Sequence, residues 1–278
     1  MSDIHFHNFW QAFPENNIFK SLIEASELSD FPLEVINFYS VFGKFQRLLR
    51  MKQRILGPMK KTSGEINIWY TGENLPAPHK YDLTLSYDSN SSSNIYWPLW
   101  ATYCSIKGIS FESDREFLFD QAKLSKNRSA PRANKLLKAC AFISNSAEPR
   151  YSKYLSLQEL GFLDLYGKSV GRPIISKREI ASKYMFQICF ENSLREGYVT
   201  EKIFEAYSCG NIPIYHGPLR DDYLNSRSYI SLEGYNVEHL QDIIEDKIKN
   251  GLDEIYTQPL LSRQFNHQIL IEKLKSLA

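Results

Sequence analysis

Apolar residues in this chain fall into short runs set between polar, helix-patterned stretches. Residues 66–70 alternate as a half-buried strand should. Residues 4–9, 80–87 and 95–99 predict three further strands, and 18–28 predicts a helix. Residues 89–94 are only Ser and Asn, a loop composition. The polar stretch 121–134, with Pro131 inside it, is the best linker candidate. A strand at 138–144 opens the second half. A helix at 152–160, a strand at 162–166 and a helix at 177–183 follow. Next come an apolar run at 184–189, a polar loop, a short helix closed by Gly210 and an apolar run at 212–215. Residues 239–248 and 262–277 read as closing helices. Strands alternating with helices predict α/β halves on parallel sheets.

Composition narrows the class. The 278 residues are 43% apolar and 23% charged, which suits a folded protein of about two ordinary domains. Aromatic content is high, at 14%. Aromatic faces suit sugar stacking, although most such rings fill cores. A net charge of +1 gives no global pointer to nucleic acid. Cys104, Cys140, Cys189 and Cys209 form no C-x-x-C pair and read as buried free thiols in a reducing compartment. No apolar stretch is long enough for a membrane span, and no basic start followed by an apolar core marks a signal peptide. Asn90-Ser91-Ser92 and Asn127-Arg128-Ser129 match glycosylation sequons that a cytoplasm would leave silent. Between Val35 and Gly64 there is no acidic residue, yet Lys44, Arg47, Arg50, Lys52, Arg54, Lys60 and Lys61 are present with interleaved apolar positions. Such a segment suits an anionic membrane surface near a lipid-linked acceptor; an ordinary helix with one buried and one solvated face is the competing reading.

The densest chemistry lies in the polar loop, Glu191-Asn192-Ser193-Leu194-Arg195-Glu196-Gly197-Tyr198-Val199-Thr200-Glu201-Lys202. In an open α/β sheet, ligands bind where loops leave the carboxyl ends of strands. Thr200 predicts an N-cap for the helix that follows. Glu201 suits the positive end of the helix dipole, and Lys202 does not. A docked phosphate would turn the lysine into a gain. Pairing of a solvated Lys202 with Glu205 or Glu201 explains it equally well.

Phe190-Glu191-Asn192-Ser193, then Tyr198-Val199-Thr200-Glu201-Lys202, then Ile212-Pro213-Ile214-Tyr215 with Gly217, resembles the donor motif of the α-1,3/1,4-fucosyltransferases, glycosyltransferase family 10. Ile68-Trp69-Tyr70-Thr71-Gly72-Glu73-Asn74, followed by Pro76, resembles the family's acceptor-side strand and loop. Phe142-Ile143-Ser144-Asn145, then Pro149-Arg150, resembles the segment whose arginine meets the donor pyrophosphate. Together these cover roughly residues 66 to 218.

The resemblance implies a bacterial-type member with an α/β fold of GT-B type, two Rossmann-like domains facing a cleft. Residues 1–125 would be the acceptor-side domain and 126–260 the GDP-sugar domain, with a helix in 261–278 crossing back to the first. It implies inverting transfer of L-fucose from GDP-β-L-fucose. The acceptor would be the GlcNAc of an N-acetyllactosamine-type or Lewis-type terminus in surface polysaccharide or lipopolysaccharide, with α-1,3 linkage favoured over α-1,4. Glu73 would be the general base, whereas a plain turn carboxylate capping an amide is the reading without the family. Arg150 and Lys202 would hold the diphosphate. Glu201 would accept from the ribose diol, and Tyr198 would touch ribose or sugar. Asn192, Glu191 and Asn145 would help position the donor; Arg172 is a further nucleotide candidate. The chain has no Asp-x-Asp, so no divalent metal or other cofactor is expected to be essential. The expected partners are GDP-fucose and an oligosaccharide, with no nucleic acid. The expected place is the cytoplasm, with peripheral contact at the inner membrane. A transferase using another nucleotide sugar and a non-catalytic glycan-binding relative are the alternatives. Glu73, Arg150, Glu201 and Lys202 together argue against the latter.

Overall fold

The computed structural model describes residues 2–26, 33–41, 63–75, 80–129, 134–144, 146, 150–159, 161–218, 222–233 and 239–278. The basic segment 44–61, Pro76, Pro149 and Asn145 lie outside them.

The chain divides into two compact units. The first comprises residues 1–118, 196–199 and 265–278; the second comprises 119–195 and 200–264. The described part of the expected linker, 121–129, lies within the second unit. Its Arg128 is clamped inside the second unit between the rings of Tyr207 and Tyr256, at 3.7 and 4.1 Å from their centroids. The guanidinium also donates to the carbonyls of Tyr256, Tyr207 and Asn211. A polar sequence hid a packing anchor.

The first unit carries β1 (Asp3–His7), α1 (Ile18–Glu24), β2 (Val35–Tyr39), β3 (Glu65–Tyr70), β4 (Leu83–Ser86), β5 (Asn94–Tyr96) and α2 (Leu99–Thr102). Its five strands are parallel and lie in sequence order. Registered positions share a face. One face is apolar, with Phe6, Phe38, Ile68 and Leu85. The other carries a polar row, in which His7 meets Asn37, and Asn37 donates to Glu65 and Asn67. The strand expected at 95–99 stops at Tyr96, because Pro98 starts α2 instead. Asn17 caps α1 by accepting from the amides of Phe19 and Lys20.

The second unit carries α3 (Gln121–Leu124), β6 (Leu136–Phe142), α4 (Arg150–Glu159), β7 (Leu163–Tyr166), α5 (Lys177–Ala181), β8 (Tyr184–Phe190), α6 (Lys202–Ser208), β9 (Ile212–His216), β10 (Ile230–Ser231), α7 (Leu240–Asn250) and α8 (Leu252–Thr257). In the first unit again, α9 (Gln268–Leu277) buries Leu270, Ile271 and Leu274. The second sheet is also parallel, in the order β10-β9-β8-β6-β7. Strand β8 is buried along its whole length, as a central parallel strand covered on both faces must be. Each of its large apolar side chains contributes about 2 kcal/mol by leaving water. Counted within the unit, the strand order is 2-1-3-4-5. That order reverses between β6 and β8, and a doubly wound sheet opens a binding crevice at such a point.

Candidate active site

The loops that leave β6 and β8 flank this reversal. One runs from Ile143 toward Arg150, the first residue of α4. The other is the polar loop 191–201.

Glu191 organises the second loop. Its side chain is 0% exposed. The carboxylate accepts from the Thr200 amide at 2.7 Å, from the Thr200 hydroxyl at 2.7 and 3.0 Å, and from Lys202 Nζ at 2.9 Å. Tyr215 OH donates to it from β9 at 3.3 Å. Burial first, and then Glu191, push the Tyr215 hydroxyl well above its ordinary pKa, so it remains a donor. Gly217 completes the nest. A Cβ there would lie 2.5 Å from Tyr215 OH and 2.6 Å from Glu191 Cγ. Only glycine leaves room for the carboxylate, which explains why the Ile-Pro-Ile-Tyr run is followed by His216 and then Gly217.

This arrangement changes the local expectations. Thr200 is not the N-cap of α6: Glu201 stands there with helical backbone and no capping side-chain bond. The Thr200 hydroxyl is taken by the stronger acceptor, the Glu191 carboxylate, and accepts in turn from Lys202 Nζ at 2.9 Å. Lys202 pairs with Glu191, not with Glu205 or Glu201. The Lys202 side chain keeps 21% exposure, whereas that of Glu191 keeps none.

Glu205 instead pairs with Lys177, the first residue of α5. Burial alone would lower the Lys177 pKa; Glu205 and then Glu201 outweigh it, and the result is raised. Lys177 also lies 5.2 Å from the centroid of the Phe142 ring at the end of β6. Sequence reasoning missed this lysine. The signal was the one noticed at Lys202, a cation in the first turn of a helix.

The other expected residues are distributed as follows. Asn192 is exposed, directly after Glu191. Glu201 is nearly buried, at 9%. Arg150 is placed by α4 at the carboxyl side of β6. Tyr198 is 1% exposed, with its ring 4.6 Å from that of Tyr87. Its ring packs within the first unit. The Arg172 guanidinium lies over the Tyr166 ring at 4.3 Å. His216 ends β9 half-buried, and burial and Lys153 lower its pKa against an opposing pull from Glu233. Cys104, Cys140, Cys189 and Cys209 are buried and free, and burial pushes the Cys209 thiol up to about 12.

Glu73 lies in the first unit, exposed in the loop after β3. The Thr71 hydroxyl accepts from the Glu73 amide at 3.3 Å and donates to its carbonyl at 2.9 Å. These bonds fix the backbone and leave the carboxylate at the surface.

Residues 132–256 match the model of the glycosyltransferase family 10 (fucosyltransferase) C-terminal domain. That stretch is a little under half of the chain. A relative from Helicobacter pylori, alpha-(1,3)-fucosyltransferase FucT, is 38% identical over 97 residues, 33% of this chain and 20% of that protein. The Bos taurus 4-galactosyl-N-acetylglucosaminide 3-alpha-L-fucosyltransferase 9 is 28% identical over 165 residues, 57% of this chain and 40% of that protein. The matches thus span well under half the length of these relatives. A crystal structure of an alpha1,3-fucosyltransferase with GDP-fucose superposes with a TM-score of 0.66 at 18% identity, over 99% of this chain and 90% of that one. The same enzyme class with GDP gives 0.67 at 19% identity, over 99% and 89%. The chain therefore has the α/β fold of GT-B type, with two parallel-sheet units. Among its described residues, no helix is long and apolar enough to cross a membrane.

Proposed function

We propose that this protein transfers L-fucose from GDP-β-L-fucose to a glycan hydroxyl with inversion. The observation that carries the reading is Lys202, a partly exposed lysine anchored by buried Glu191 beside a sheet reversal, inside the stretch that matches the family domain. The acceptor oxygen bonds to the anomeric carbon as the bond from that carbon to the β-phosphate oxygen breaks. Glu73 takes the hydroxyl proton, and the GDP leaving group carries away the electron pair. Charge grows on the diphosphate through an oxocarbenium-like transition state, so fixed cations lower the barrier. Lys202 supplies one, and Arg150, at the start of α4, supplies the other. Glu201 and Asn192 orient the nucleotide sugar. No divalent ion is required for this division of labour. The acceptor is the GlcNAc of an N-acetyllactosamine-type terminus, linked α-1,3, and the product is a Lewis-type structure on surface polysaccharide or lipopolysaccharide made in the cytoplasm. The activities of the two relatives support the linkage by analogy, and the GDP-fucose of the similar crystal structure supports the donor.

The test is a mass-spectrometric transfer assay. GDP-fucose is supplied with N-acetyllactosamine, with lacto-N-biose or with no acceptor, each with and without EDTA. A deoxyhexose added to N-acetyllactosamine in EDTA is the expected result. Transfer only to lacto-N-biose would reverse the linkage, and complete loss in EDTA would overturn the metal-free reading. No turnover and no GDP binding would reject the donor.

A further inference from the structure

Tyr87 follows β4, is 1% exposed, and touches two loops of the first unit. Its hydroxyl donates to the Gly72 carbonyl at 3.1 Å, one residue before Glu73. Its ring packs on Tyr198 at 4.6 Å. Its own carbonyl would stand 2.4 Å from a Cβ on Gly197, whose φ is +75°. Gly197 is thus demanded twice, by backbone conformation and by the approach of Tyr87. Tyr96 on β5 completes the clasp, donating to the Gly197 carbonyl at 3.2 Å.

We infer that Tyr87 is a positioning residue for sugar transfer. It pins the Glu73 loop at Gly72 and joins it to the Gly197-Tyr198 segment, which runs on directly into Thr200 and Lys202. The inference rests on Glu73 being the base. A base must stand within hydrogen-bond reach of the proton it takes. The reach of the Glu73 carboxylate depends on where its backbone stands. Thr71 holds that backbone at Glu73 and Tyr87 holds it one residue earlier. A phenylalanine would fill the same space against Tyr198; the hydroxyl is what a purely packing role does not require.

The experiment compares Tyr87→Phe with Tyr96→Phe, whose lost hydroxyl touches Gly197 rather than the Glu73 loop. Backbone amide exchange is followed for peptides covering 71–75 and 196–202, alongside melting temperature, GDP affinity, kcat and both KM values. Tyr87→Phe is expected to speed exchange in 71–75 and to lower kcat about tenfold, since small misplacements of a reacting group cost that much or more. GDP affinity and donor KM stay within about twofold, the signature of an interaction lost at the reacting step. Tyr96→Phe leaves exchange in 71–75 unchanged and lowers kcat less than Tyr87→Phe does. Unchanged kcat and exchange in Tyr87→Phe would overturn the inference. So would equal losses of stability, GDP binding and kcat in both variants. If the unsubstituted protein transfers nothing from GDP-fucose, the reaction reading fails by itself. Exchange in 71–75 still decides the pinning: faster in Tyr87→Phe supports it, and unchanged rejects it.

Discussion

Glu191 and Lys202 form an ion pair of 2.9 Å in which the glutamate side chain is wholly covered and the lysine side chain is not. The two residues therefore answer differently to truncation. Glu191→Ala leaves Lys202, the Thr200 amide and the Tyr215 hydroxyl without their shared acceptor, and breaking a buried pair from one side costs about 3 kcal/mol or more. Lys202→Ala leaves the buried carboxylate without its cation, which also costs stability, but still bonded to Thr200 and Tyr215, so its loss is the smaller of the two. Its loss falls on GDP binding, which isothermal titration reads directly. Urea titrations should rank Glu191→Ala as the more damaging; the opposite ranking would show that Glu191 is not the organiser of the loop.

Glu73→Gln keeps the size of the side chain and removes the base. It is expected to lower kcat by about a hundredfold or more while leaving GDP affinity intact. Loss of GDP affinity with kcat preserved would move Glu73 out of the reaction and into donor binding.

Gly217→Ala introduces a methyl group where Tyr215 OH and Glu191 Cγ already stand. Overpacking at such a point costs about 1–3 kcal/mol. The strain acts on Glu191, so melting temperature and GDP affinity should fall together. A variant as stable as the parent would mean that the nest is looser than it is drawn.

Arg128→Lys tests the clamp inside the second unit. Lysine keeps the charge but lacks the planar fork that stacks between Tyr207 and Tyr256 while reaching three carbonyls. A loss of about 2 kcal/mol is expected, close to that of Arg128→Ala. Full rescue by lysine would reduce the site to simple charge.

His267 is buried, with its ring nitrogen 2.9 Å from the Ala101 carbonyl oxygen. Burial lowers its pKa from 6.5 to about 4, against the opposing backbone bonds of Ala101 and Phe265. The unfolded chain therefore binds the extra proton between these values, and folding stability rises with pH across that window. His267 contributes fully above 6.5, and about 3 kcal/mol is lost by the time pH reaches 4. His267→Gln should flatten the stability profile between pH 6.5 and 4; an unchanged slope would place the titration elsewhere.

The second sheet was legible because its strands are apolar runs between helical patterns, and Tyr184 to Phe190 reads as a fully buried strand on composition alone. Strand β2 was not read, although Val35-Ile36-Asn37-Phe38-Tyr39 is rich in strand formers, because the basic stretch that begins there drew attention to charge instead. Residues 121–134 misled because polarity was taken for exposure. Arg128 is polar and packed, and only the distant Tyr207 and Tyr256 reveal it. The chemistry of loop 191–202 stood out by its residue types, but its wiring did not. That Glu191 serves Thr200 and Lys202 depends on Tyr215 and Gly217, which arrive a helix and a strand later. Tyr87 gave no local signal at all, since its meaning lies in Gly72, Gly197 and Tyr198.

The stretch matched by the family domain, 132–256, contains residues 196–199, yet these four pack with the first unit, against Tyr87 and Tyr96. Inheritance and architecture thus divide this chain at different places. A recombination that exchanged the family domain as one cassette would strip Gly197 and Tyr198 of their native neighbours while keeping every motif letter in order. Grafted hybrids of this chain should fold best when the two tyrosines travel with the loop, and lineages that shuffle the halves should carry Tyr87, Tyr96 and Gly197 as a linked set.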